Sequence, residues 1–72
     1  MSQKQTIKIR EKTDGYASVT MYRHWQYTDA GYQAAYTVVQ HMNYEYTMTD
    51  IYFTKDEADK AFDSAVHWAF DE

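Results

Sequence analysis

The segment "TDAGYQAAYTVVQHMN", Thr28 to Asn43, decides the fold of this 72-residue chain. Read at helical period, Tyr32, Ala35, Tyr36, Val39 and Met42 form one apolar stripe, with Gln33, Thr37, Gln40 and His41 opposite. Thr28 can cap that helix, Asp29 suits its first turn, and Asn43 can take the left-handed position after its end. Read at period two, Tyr32, Ala34, Tyr36 and Val38 share a face, and "TDAG" becomes a hairpin loop with Gly31 at a bulge. Only Ala34 and Val38 violate the helical pattern, whereas the run Thr37-Val38-Val39 favours a strand. The helix is the expectation adopted here, and the strand is its alternative.

Outward from that segment the patterns are clearer. "TIKIREK" alternates, placing Ile7 and Ile9 on one side and Lys8, Arg10 and Lys12 on the other. "TDG" marks a tight turn in which Gly15 takes positive φ. "YASVTMYRHW" alternates again, with Ala17, Val19, Met21 and Trp25 on one face and Tyr16, Ser18, Thr20, Tyr22 and His24 on the other. Arg23 interrupts the apolar set. A β-hairpin from Thr6 to about Gln26 follows.

"YEYTMTDIYF" reads as a strand of mixed parity, since Tyr44, Tyr46 and Met48 sit on one phase and Ile51 and Phe53 on the other. A bulge near Thr49-Asp50 would reconcile them.

"FTKDEADKAFDSAVHWAF", Phe53 to Phe70, reads as an amphipathic helix. Thr54 and Glu57 form a capping box, and Phe53 can staple onto Ala58. Ala58, Ala61, Phe62, Ala65, Trp68 and Ala69 fall on one arc, with Phe62 and Trp68 as the large buried anchors. Asp56, Lys60, Asp63, Ser64, His67 and Asp71 fall opposite, with Glu57 and Asp59 at the edges. Phe70 points towards the polar side. The expected fold is α+β: a three-stranded antiparallel sheet in the order β-β-α-β-α, the C-terminal helix packed on one face. The alternative is a four-stranded meander with one helix.

Length and composition bound the function. The chain is one small domain with no cysteine, no proline and no leucine, and with eight Tyr, three Phe and two Trp. Tyr suits half-buried positions, where the ring packs and the hydroxyl reaches water. No apolar run is long enough for a membrane span, and "MSQKQTIKIR" lacks the apolar core of a signal peptide. A cytoplasmic location is the expectation, host cytoplasm if the chain is phage-encoded. The net charge of −4 is uneven: +3 over Met1 to Gln26 and −7 over Tyr27 to Glu72. Such asymmetry is either ordinary surface charge or a pair of faces for charged partners.

No motif carries chemistry. Ser2, Ser18 and Ser64 sit in no nucleophile elbow, and both glycines are explained by turns, so no phosphate-cradling loop exists. Asp63, His67 and Asp71 recur at i, i+4 and i+8, a spacing that suits a solvated face with an Asp63–His67 pair better than a metal site. No enzyme, no metal and no cofactor is expected.

Nucleic-acid binding is the second reading. It would use Lys8, Arg10, Lys12, Tyr22 and Arg23, with Lys8, Arg10 and Lys12 beside Tyr16, Tyr22 and His24 on one face of the first hairpin. "IYFTKDEADKAF" also resembles the strand-to-helix junction of small three-stranded DNA-binding domains with a C-terminal helix, such as the arm-binding domains of phage-type integrases. That resemblance spans Ile51 to Phe62 and implies DNA binding, which the net charge of −4 opposes.

The leading expectation is a non-catalytic interaction protein: an inhibitor or modulator of a larger, nucleic-acid-handling protein, of the kind phages direct against host defence. Its contact residues are expected on the acidic arc, Asp56, Asp59, Asp63 and Asp71, imitating a nucleic-acid backbone, and on the sheet face at Tyr16 and Tyr22. Homodimerisation through the sheet face or edge to edge is a further expectation.

Overall fold

A computed structural model of the chain describes residues 5–42 and 46–70, with the Tyr46 side chain left out. Four strands and one helix follow in order: β1 Ile7–Thr13, β2 Ala17–Thr28, β3 Gly31–Met42, β4 Tyr46–Tyr52 and α1 Lys55–Phe70. The strands form one antiparallel sheet in the order β1-β2-β3-β4. The α+β class therefore stands, and the architecture is the four-stranded meander rather than the three-stranded sheet.

The correction lies in the segment that decides the fold. Gly31–Met42 pairs with β2 along its whole length, from Thr28↔Gly31 to Ala17↔Met42. Gly31 has φ 100° after the two-residue turn at Asp29-Ala30, a conformation glycine takes without strain, and the register against β2 runs unbroken through it, without the expected bulge. The Thr28 hydroxyl donates to the Gly31 carbonyl at 2.8 Å and accepts from the Ala30 amide. Packing shows why the helical pattern loses. Val38, a violation of that pattern, is buried, while Tyr32 is 54% exposed. β2 needs a partner on its second edge, and β3 satisfies that edge and floors the helix at once. Asn43, the expected helix C-cap, lies outside the described residues.

β1 and β2 form the expected hairpin. Gly15 has φ 95°, and the Asp14 carboxylate accepts from the amides of Tyr16 and Ala17, both at 3.0 Å. These bonds favour the charged form and hold the Asp14 carboxyl below its usual range. β2 keeps its expected parity, with Val19 and Met21 fully buried towards the helix. The parity of β1 differs. Its register against β2 shifts between Lys8 and Arg10. Lys8 lies opposite Tyr22, but Arg10 lies opposite Met21 and Lys12 opposite Val19. Ile9 is the extra residue of a bulge. Arg10 and Lys12 thus face the helix, and Ile7 and Ile9 are 44% and 37% exposed.

β4 runs without the expected bulge, from Tyr36↔Tyr52 to Met42↔Tyr46 in unbroken register. Its helix-side positions are Met48, Asp50 and Tyr52, and Ile51 is left 49% exposed on the other face. Tyr44 lies outside the described residues.

The Thr54 hydroxyl caps α1 as expected, accepting from the Glu57 amide at 3.2 Å and donating to the Glu57 carboxylate at 2.9 Å. Phe53, the expected staple, is 48% exposed. Ala58 and Phe62 are buried against Val19, Met21 and Val38, with Ala61, Ala65, Val66, Ala69 and Phe70 packed at the margin. The buried arc is centred on Phe62. At about 100° per residue Trp68 lies about 120° away from it, and Val66 and Phe70 lie within about 80°. Trp68 is accordingly 64% exposed rather than an anchor, and Phe70 packs on the core rather than facing the polar side.

Candidate functional site

The helix lies across the middle of the sheet and has two flanks. On the β1 flank the bulge at Ile9 turns the strand's bases inward. The Arg10 guanidinium stacks over the Phe62 ring, 4.0 Å from its centroid. It donates to Asp59 at 2.9 Å and to Asp63 at 3.2 Å, one helical turn apart. Lys55 donates to the second oxygen of Asp59 at 2.8 Å. The Lys55 hydrogen bond and then that of Arg10 hold the Asp59 carboxyl below its usual range. Lys12 sits over the Phe70 ring at 5.2 Å. Aromatic faces attract cations, so Arg10 is held by a ring as well as by acids, and Lys12 by a ring.

This arrangement redistributes the residues singled out from the sequence. Of the acidic arc, Asp59 is half-buried and committed to Arg10 and Lys55. Asp63 is exposed, with one oxygen on Arg10, and Asp56 is exposed. Asp71 lies outside the described residues. The basic set does not assemble on one face. Lys8 and Tyr22 lie on the face away from the helix, where Lys8 pairs with Glu11 at 3.0 Å. Arg10, Lys12 and Arg23 lie on the helix side, with Arg23 over the Trp25 ring at 5.6 Å. Tyr16 is in the turn, 77% exposed. Tyr22 lines a shallow hollow of about 290 Å³ with Thr6, His24 and Thr37, where His24 Nε2 hydrogen-bonds the Thr37 hydroxyl.

On the β4 flank the helix presents small residues, and a gap remains. A groove of about 580 Å³ runs between α1 and the outer half of the sheet. Val38, Met48, Asp50 and Tyr52 line its sheet side, and Ala65 and Trp68 its helix side. The lining is mainly apolar, and Met48 is 44% exposed. Asp50 supplies the charge. Among the described residues, no base pairs with it. Partial burial, then the charges of Asp50 and Glu57, push the Tyr52 hydroxyl above its usual value.

The sequence reading missed this groove. Val66 and Phe70 belong to the buried arc, and leaving them out rotated the helix towards β4. Asp50 was legible only as an irregularity of parity. One signal for the β1 flank was present: the opposite charges of the two halves of the chain, which here meet at Arg10 with Asp59 and Asp63.

A third surface is the tip of the β2–β3 hairpin. β1 pairs no further along β2 than Arg23, and β4 no further along β3 than Tyr36, so Trp25 to Gln33 extends past both edge strands. Tyr27 and Tyr32 meet edge to face there, 5.2 Å between centroids, both exposed.

Among the described residues no three His, Cys, Asp or Glu side chains converge to hold a metal ion, and no helix is long and apolar enough to cross a membrane. Comparison with protein-family models, with curated proteins and with solved structures finds no match to this chain.

Proposed function

We propose that this chain is a non-catalytic protein-interaction module, an inhibitor or modulator that binds a larger, basic protein of the nucleic-acid-handling kind. Its contact surface is the groove between α1 and β4. The observation that carries the reading is the combination of an exposed Trp68 and Met48 with an Asp50 carboxylate that lacks a base among the described residues. Aromatic and methionine side chains are enriched at interface centres, and a lone charge beside them selects the sign of the partner. The net charge of −4 favours the same sign of partner.

The helix acids contribute less to this surface than their spacing implies. Asp59 is neutralised within the molecule, so the arc does not present an unbroken negative row. The exposed Asp56 and Asp63 steer a basic partner, and the groove holds it.

The test compares immobilised wild-type chain with the double variant Asp50→Lys/Trp68→Ala and with Asp56→Asn/Asp63→Asn. A partner captured by wild type, lost from the first variant and merely slowed in association with the second supports the reading. A partner retained by the first variant, or labelled DNA or RNA bound with a steep salt dependence, overturns it.

A further inference from the structure

We infer that β4 is a docking edge: an extended segment carrying a base and a large apolar residue two positions apart adds to it as a fifth strand, with both side chains over the groove. The inference rests on the groove being the contact surface, and it specifies how the partner is held.

The two edges of the sheet differ. β1 carries Lys8, Arg10 and Lys12 and is bent by the bulge at Ile9. Charged residues and bulges are the devices that stop an edge from accepting another strand. β4, Tyr46–Tyr52, has the sequence "YTMTDIY", with Asp50 as its one charge and without lysine, arginine or proline, and its register against β3 is unbroken, so an added strand must bring a base to Asp50. Its outer backbone donors and acceptors therefore form a regular row, which is what strand addition requires.

Side-chain parity then places the groove beside that row. Met48, Asp50 and Tyr52 alternate towards the helix, and Thr47, Thr49 and Ile51 alternate away from it. A strand laid along β4 sends every second side chain over the same side. The neighbour across from Asp50 sits beside a carboxylate, and that neighbour is favoured as Lys or Arg. The next inward position, two residues along, reaches the apolar walls at Met48 and Trp68. The outward face meets Thr47, Thr49 and Ile51, which suit Thr or Val on the partner. Charge also decides against a second copy of this chain. A β4–β4 pair would bring two Asp50 carboxylates to one seam, and each copy already carries −4.

The test uses the full chain, labelled with nitrogen-15, and short synthetic peptides as the probe. The first peptide alternates threonine with inward Leu and Lys. The second carries Glu in place of Lys. The third is the first with alternate amides N-methylated on the edge that would face β4. Expected results are amide shifts over Thr47 to Ile51 and at the Trp68 indole with the first peptide. Affinity falls about tenfold or more with the second peptide, and comparably in the Asp50→Asn chain. The third peptide does not bind. Equal binding of the first and third peptides overturns strand addition while leaving the groove as the contact surface. Shifts confined to the β2–β3 hairpin tip, or no shift up to millimolar peptide, overturn the inference. So does a chain that sediments as a dimer with the β4 amides protected from exchange.

Discussion

The two flanks of α1 rest on the same sheet and end differently. Towards β1 the helix offers large side chains, Phe62, Val66 and Phe70, together with acids at Asp59 and Asp63. The strand answers with Arg10 and Lys12, whose stems cover apolar surface while their heads meet acids or rings. Towards β4 the helix offers Ala61, Ser64 and Ala65 beneath a Trp68 that is mostly exposed, and the strand answers with Met48, Tyr52 and an acid, Asp50. Small residues leave volume unfilled, and the Asp50 carboxylate, opposite an acidic helix, meets no base among the described residues. One flank is bridged by ion pairs and cation–ring contacts over a hollow of about 400 Å³, and the other is an apolar groove of about 580 Å³ without such a bridge among the described residues. Part of the uneven charge distribution along this chain is therefore internal pairing through Arg10, and the groove lies where no such pairing is made among the described residues.

The sharpest way to break the comparison is to empty the bridged side. Phe62→Ala removes the largest helix side chain in the core and should cost about 3–5 kcal/mol in urea unfolding. A cost within about 1 kcal/mol would mean the helix is not seated where described. Arg10→Met keeps a stem and loses the cation, and should cost about 1–2 kcal/mol by the same measurement, with weaker salt dependence than wild type.

A third expectation concerns acid. The Asp59 carboxyl is held below its unfolded value, so its contribution is present above the ordinary carboxylate range and is lost as pH falls through its folded value. Unfolding midpoints of wild type and Asp59→Asn should differ at neutral pH and converge as the solution is acidified. Parallel curves from neutral to acid would show that the Arg10 and Lys55 bonds do not form. The smallest effect belongs to the open flank. Trp68→Ala should change stability by no more than about 0.5 kcal/mol, because the ring is mostly in water already. A loss rivalling that of Phe62→Ala would erase the distinction between the flanks.

How much of this was legible varied by element. The first hairpin was legible because its turn chemistry and its β2 alternation are local. The capped helix was legible for the same reason, down to the Thr54 and Glu57 pair. The groove was not. It depends on which way α1 is rolled on the sheet, and that roll is chosen by Phe62, Val66 and Phe70 together with ion pairs to a strand far away in sequence. The parity of β1 was hidden for a different reason. A bulge is a single extra residue, and Ile7 and Ile9 give no sign of it until β2 is alongside.

By itself the sequence determined the α+β class, the tight turn at Gly15, the inward face of β2 and the start of α1 at its Thr54 cap, because each rests on neighbours a few residues apart. Tertiary structure alone decided three things: that Gly31–Met42 is a strand, that Arg10 and Lys12 face the helix, and that Asp50 stands in a groove. The reason is common to all three. A segment whose apolar residues satisfy two periods, or whose charges outnumber its apolar anchors, takes the conformation that completes a partner's hydrogen bonds and burial, and the partner is distant in the chain.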